Sequence, residues 1–282
     1  MMHSNALAIF FGLASALTIA WGTVVRHRVA EDSGGTDTSS VVAAITRVRW
    51  WAGLGLSFLG YALQIVALGF GTLLVVQPIL VLSLMFTLPL SAKLSGRRIS
   101  KSETAWAALL TVAVAVIVVL GRPQAGVAQP SLPRWLTALG IGVVIFTVMY
   151  LISRGLRHAN RALILGSITG GIMGYVAVLS KAVTDIFSRS GVLDLLISWE
   201  LWGLIGLAVI GTAVQQASFN AGPLKNSLPA MTVVEPIFAF ALGYTILGEK
   251  FDVSGYEWIY MAAALIIMIV STVVLSRKTI TD

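Results

Sequence analysis

Two stretches of this chain nearly repeat each other: VVQPILV, Val75–Val81, and VVEPIFA, Val233–Ala239. Both lie in apolar sequence, where a proline removes a backbone hydrogen bond and crowds the preceding helical turn. The second copy replaces Gln77 by Glu235, an acid with no charged residue within nine positions on either side. A proline-broken segment present twice, with a carboxyl group in only one copy, asks what surrounds it.

The surroundings are membrane-like. Of 282 residues, 57% are hydrophobic and 11% charged, with a mean hydropathy of +0.90. Soluble domains carry roughly 25% charged residues. The few charges are clustered, which leaves uncharged apolar windows near the ~20 residues that cross a bilayer as a helix. The expected fold is therefore an all-α integral membrane protein of the multi-pass kind. The absence of cysteine excludes disulfides, thiolate metal sites and cysteine nucleophiles. A net charge of +7 is explained by loop residues that orient the chain in the bilayer, not by nucleic acid. The opening MMHSNALAIF lacks the basic region and small-residue cleavage site of a signal peptide, and reads as the start of a retained helix.

Nine transmembrane segments are expected: Ala6–Val25, Trp50–Gly69, Thr72–Ala92, Thr104–Gly121, Trp135–Ser153, Ala162–Ser188, Leu201–Gly222, Asn226–Gly248 and Gly255–Ser276. The 43 uncharged residues from Trp50 to Ala92 are too many for one crossing, and Gly69-Phe70-Gly71 supplies the turn of a hairpin. With nine crossings, fourteen of the 19 Lys and Arg residues fall on one side. Four fall on the other, Arg122, Arg134, Arg189 and Lys250, and Lys181 lies within the sixth helix. The positive-inside rule then puts the N-terminus outside and the C-terminus inside, in the cytoplasmic (plasma) membrane. Trp50, Trp51, Trp106, Trp135, Trp199, Trp202 and Trp258 fall near span ends, where indole rings anchor at the headgroup level. Trp21 lies deeper.

This topology gives the two motifs opposite directions, since VVQPILV runs inward and VVEPIFA outward. The likeness continues from LSGRRISKSETAWAALLTVAVAVIVVL to LGEKFDVSGYEWIYMAAALIIMIVSTVVL. Trp21 follows Gly12 by nine residues, as Tyr175 follows Gly166. The expected plan is an inverted repeat of helices 1–4 (residues 1–121) and 6–9 (residues 162–282), with helix 5 and its loops (residues 122–161) between them. Inverted repeats recur in secondary transporters, whose sites lie near the midplane at interrupted helices. Pro78 and Pro236 are the expected kinks, because a freed carbonyl in a membrane helix is re-satisfied by its neighbours.

On these residues the chain resembles the drug/metabolite transporter (DMT) superfamily, most clearly in EPIFAFALGYTILGEK. RWWAGLGLSFLGYALQIVALGFGTLLVVQP and LSKAVTDIF are similar to its NIPA-type magnesium transporter branch. That resemblance implies a Trp-Trp-x-Gly start to the second helix, a hydrophobic hairpin and a proline-containing third helix. Where the branch carries a Gly-Glu and an Asn-Phe pair, this chain reads LGYALQI, so one acid of the branch is missing.

Polar groups inside a bilayer are costly and mark function by default. Glu235 sits about ten residues into its helix, near the midplane. An ionised acid there costs about 2.5–3.5 kcal/mol on insertion scales, so it must face protein or water, where it suits proton exchange or a cationic solute. Its other reading is an acid that satisfies broken backbone beside Pro236. Gln77, Gln64, Gln215, Gln216 and Asn220 are further candidates, with Tyr175 and Trp21, against the alternative that such amides only bond helix to helix. Gln215 and Gln216 point about 100° apart, so one of them at most faces a site. Lys181 and Asp185, spaced i, i+4, can pair as an outer gate or as an interface anchor. The glycines of GSITGGIMG suit close helix packing. Three scattered histidines and the lack of H-E-x-x-H, G-x-S-x-G and Walker motifs point away from an enzyme, with no catalytic residue, metal site or cofactor expected.

The expected function is a DMT-type secondary transporter for a small polar or cationic solute. The alternatives are NIPA-like magnesium transport, translocation of lipid-linked sugars, and a non-transporting scaffold or accessory subunit. Expected partners are a small-molecule or ion substrate and the lipid bilayer, with a homodimer as an open alternative and no nucleic acid.

Overall fold

The computed structural model describes residues 4–31, 48–96, 98–127, 129–222 and 224–281. Among these, nine helices are long and apolar enough to cross a membrane. They are α1 (Asn5–Glu31), α2 (Val48–Phe70), α3 (two segments, Leu73–Val81 and Ser83–Ser95), α4 (Lys101–Leu120), α5 (Leu132–Arg154), α6 (His158–Ile197), α7 (Trp199–Ala221), α8 (Leu224–Leu242, continued by a π-helical turn, Gly243–Leu247) and α9 (Glu257–Thr281). A two-residue ribbon, β1 (Pro123–Gln124) against β2 (Lys250–Phe251), is antiparallel. Seven expected spans match these helices to within five residues, while α1 runs six residues past the expected Val25 and α6 runs nine past the expected Ser188. The loop joining α1 to α2, with Arg47, and the side chains of Arg26, Arg28 and Arg49 lie outside the described residues.

Local chemistry explains the interruptions. Pro78 lacks the N–H that would bond back to Leu74, and one turn later Leu82 N–H bonds Ile79 O at 3.0 Å, a tight turn that divides α3. Gly96 (φ 67°) ends α3 and Gly248 (φ 69°) ends the turn after α8, both in the left-handed region that glycine enters without a Cβ clash. Each is followed by a similar helix start. Ser100 N–H bonds Glu103 Oε2 at 2.7 Å and Glu103 N–H bonds Ser100 Oγ at 3.2 Å, a complete capping box. Ser254 N–H likewise bonds Glu257 Oε2 at 3.1 Å. Within α6, Gly191 (φ 83°) breaks the helix before its last six residues, 192–197.

Packing centres on α6, the most buried helix, while α5 and α7 are the least buried and face outward. Apolar side chains gain nothing by leaving lipid for protein, so membrane helices associate where small residues let backbones approach. On α6 these are Gly166, Gly170 and Gly174. A Cβ at Gly170 would lie 2.7 Å from Met231 O, and one at Gly174 would lie 2.6 Å from Phe238 Cβ, both on α8. Gly171 faces α5 instead, where Phe146 occupies the space. Gly170→Leu is therefore expected to cost about 1–3 kcal/mol by overpacking and to lower the thermal unfolding temperature in detergent. Gly206→Leu, with nothing within 4 Å, is the matched control and should leave it unchanged.

A second core joins α4 to α9 through Leu110, Ala113, Val114 and Ile117 against Met261, Ala264 and Met268. Trp135 stands near the start of α5, as expected, but it faces protein. It is 1% exposed, packs in one cluster with Tyr175 and Ala182 of α6 and meets Trp199 edge-to-face at 5.2 Å.

Candidate functional site

Halfway along the bundle, α1, α2, α3 and α8 leave a cavity of about 160 Å³. Its polar wall comes from Tyr61 and Gln64 of α2, Gln77 and Ser83 of α3, and Thr232 and Glu235 of α8. Ile19, Leu80, Val81, Leu84 and Pro236 close the apolar side. The two repeated motifs thus reach the same space, and Gln77 and Glu235 are both on its wall. Gln77 is 2% exposed, and its Nε2 has no hydrogen-bond partner among the described residues. A buried amide N–H without an acceptor costs about 1–3 kcal/mol, and this one belongs to a residue of the cavity wall. Thr232 is used locally, its hydroxyl donating to Leu228 O at 2.7 Å.

The other expected site residues lie elsewhere. Gln215 turns to α8, its Nε2 3.7 Å from Met231 Sδ, while Gln216 and Asn220 are exposed on the far side of α7. Tyr175 donates to Ala138 O of α5 at 2.6 Å and borders a separate apolar cavity of about 360 Å³ between α5, α6 and α7. Trp21 is 51% exposed on the surface of α1. None of the five lines the polar cavity.

A second polar group seals the end of the bundle where α1 begins. Lys181 Nζ donates to Leu68 O and to Asp185 Oδ1, both at 2.8 Å. Lys181 is 5% exposed, so it does not reach toward headgroups. It supplies a cation to the C-terminal carbonyls of α2, where the helix dipole favours one. Glu249 completes the group. Its carboxylate accepts Leu73 N–H on Oε1 at 2.9 Å and Leu74 N–H on Oε2 at 3.1 Å, two of the orphan donors at the N-terminus of α3. Thr72 caps the next, its Oγ1 accepting Val75 N–H at 3.3 Å. Glu249 lies just beyond the eighth span. Burial pushes its carboxyl up from an ordinary 4.5 to about 7, against the downward pull of the two amides and Lys181, with Asp185 pushing upward too. The loop before α5 closes over these groups, with Val127 N–H bonded to Leu247 O at 2.6 Å. Arg189 lines the same small space.

Sequence reasoning missed Glu249, Tyr61, Ser83 and Thr232. The only local sign of Glu249 was an acid directly after a helix-ending glycine. Its partners are 175 and 176 residues away.

Among the described residues, nine helices of bilayer length, four of them lining a polar cavity, are consistent with a multi-pass all-α membrane protein. The chain is 56% identical over 281 residues to an uncharacterized protein of Corynebacterium glutamicum, covering 99% of this chain and 97% of the relative, and it belongs to the same family. No family model and no solved structure matches the chain.

Proposed function

We propose that the protein is a secondary transporter of the drug/metabolite type, moving a small polar or cationic solute across the cytoplasmic membrane by alternating access. One observation carries this reading: the paired motifs bring Glu235 and the partnerless Gln77 amide to one cavity at mid-depth. A scaffold has no use for an orphaned buried donor opposite a carboxylate.

The inverted repeat, residues 1–121 against 162–282, belongs to this proposal. In its support, α1 packs along α2 as α6 does along α7, and α1 packs on α3 as α6 does on α8. The left-handed glycines 96 and 248 and their following caps fall at equivalent points. The likeness breaks at one contact, and the break is informative. At the end where α1 begins, α2 packs on α6 around Lys181. The counterpart contact of α7 with α1 is slight at most among the described residues. The protein would thus be sealed outside and looser inside, one of the two minima that alternating access requires.

Purified protein in proteoliposomes, given a solute panel with and without a pH gradient, tests the function, and no uptake or counterflow of any solute would overturn it. The orientation has its own test. In intact cells, cysteine at Val127 is expected to react with an impermeant thiol reagent, and cysteine at Thr38, outside the described residues, only after permeabilisation. Labelling of both from outside would refute the topology.

A further inference from the structure

We propose that the polar cavity selects a small organic monocation, an ammonium that carries its own oxygen acceptor, over divalent metals. The inference rests on the transporter reading for its setting, but its argument is the wall of the cavity.

Charge comes first. Glu235 is the one carboxylate on that wall, and no lysine or arginine joins it. No hydrogen bond or ion pair from the described residues reaches its carboxyl group, so its charge is left for a ligand. A single negative charge in a low-dielectric site is neutralised by one positive charge, while a divalent ion would leave an excess that is costly to bury. Magnesium also keeps several waters and takes one or two carboxylates, and among the described residues no three His, Cys, Asp or Glu side chains converge on a metal-sized site.

Size comes second. About 160 Å³ is the space of roughly five waters at ~30 Å³ each. A small ligand of a few non-hydrogen atoms fits between these walls.

Hydrogen bonding then sharpens the class. An ammonium is a donor only and satisfies Glu235. It does nothing for the Gln77 Nε2–H groups, which need an acceptor and have none among the described residues. A hydroxyl or carbonyl oxygen a few bonds from the nitrogen serves both sides at once. A site that holds a buried unpaired donor rejects an analogue lacking the matching oxygen, because that donor stays unpaired.

The probes are ethanolammonium and propylammonium, which have equal numbers of non-hydrogen atoms and differ as hydroxyl against methyl, with magnesium chloride as the third. Binding is measured by calorimetry on the full chain in lipid nanodiscs. The wild type is expected to prefer ethanolammonium by roughly fivefold, the worth of one hydrogen bond, and to bind magnesium more weakly than either. Gln77→Met, similar in length and unable to donate, should bring the two ammonium ions within twofold while keeping propylammonium binding. Thermal unfolding of the same samples shows that the variant folds, and Gln77→Leu provides a second apolar replacement. Magnesium binding tighter than both ammonium ions, no binding of either by folded wild type, or an undiminished preference in both Gln77 variants would overturn the proposal. Failure of the parent reading looks different: ammonium binding with the expected selectivity but no counterflow in proteoliposomes removes transport and leaves the site standing.

Discussion

Glu235→Gln is expected to abolish uptake driven by a pH gradient while the protein still folds and inserts. Glutamine keeps the shape of the side chain and turns this half of the cavity into a copy of the Gln77 half. It removes the only negative charge on the wall. Loss of one partner from a desolvated charge pair costs about 2 kcal/mol or more, a factor of at least ~30 in binding. Coupling is affected more severely, because an amide cannot release and take up a proton in exchange for a cation. Slow downhill exchange of a solute that binds through Gln77 and the apolar wall is compatible with this. Initial rates in proteoliposomes, measured over a range of internal and external pH, decide the matter. An unchanged rate and pH profile in Glu235→Gln would make the acid structural and remove it from the mechanism.

Glu249→Ala is expected to unseal the end of the bundle that the proposed topology puts outside. The substitution strips two buried N–H groups of α3 of their acceptor. At about 1–3 kcal/mol for each buried donor left unpaired, loss of both shifts the closed-to-open balance by at least ~30-fold. The chain has no cysteine of its own, so a single reporter reads this cleanly. Leu247 is 2% exposed and borders Glu249. Leu247→Cys should react slowly with an impermeant reagent in the parent protein and at least tenfold faster with Glu249→Ala. Equal rates would show that the contact holds nothing shut.

The same reporter should respond to pH. The Glu249 carboxyl holds its proton up to about 7 in the closed state and to about 4.5 at its ordinary value. An acid that binds its proton more tightly when closed favours closure at low pH, and loses that contribution as pH rises between those two values. The groups facing it are Lys181, Asp185 and Arg189. The Leu247→Cys rate, taken as a ratio to exposed Val127→Cys to cancel thiol ionisation, should climb from pH 4.5 to about 7 and level off above. In Glu249→Ala the ratio should be flat.

What the sequence determined by itself is the part written in local patterns. Hydropathy and charge spacing are properties of consecutive residues, and a bilayer fixes how long an apolar run must be. Nine spans could therefore be located before any contact was known. The proline that divides α3 and the i, i+4 pairing of Lys181 with Asp185 were legible for the same reason, since each acts within a turn or two of itself, whereas Pro236 leaves α8 continuous. The glycine stripe of α6 was readable as a packing face, though its partner α8 was not.

The tertiary structure alone decided which polar groups share a space. Gln64, Gln77 and Glu235 meet because α2, α3 and α8 cross at one depth. Gln216 and Asn220 carry the same kind of side chain on the outward side of α7, as Trp21 stands outward on α1, and helix rotation is not encoded by residue type. Trp135 had the composition of an interface anchor, but it is buried in one apolar cluster with Tyr175 and Ala182 of α6 and edge-to-face with Trp199. Glu249 was the hardest to foresee. Its role is to satisfy backbone donors 175 and 176 residues earlier, and a helix end records its need for a partner in unpaired N–H groups, which every sequence has alike.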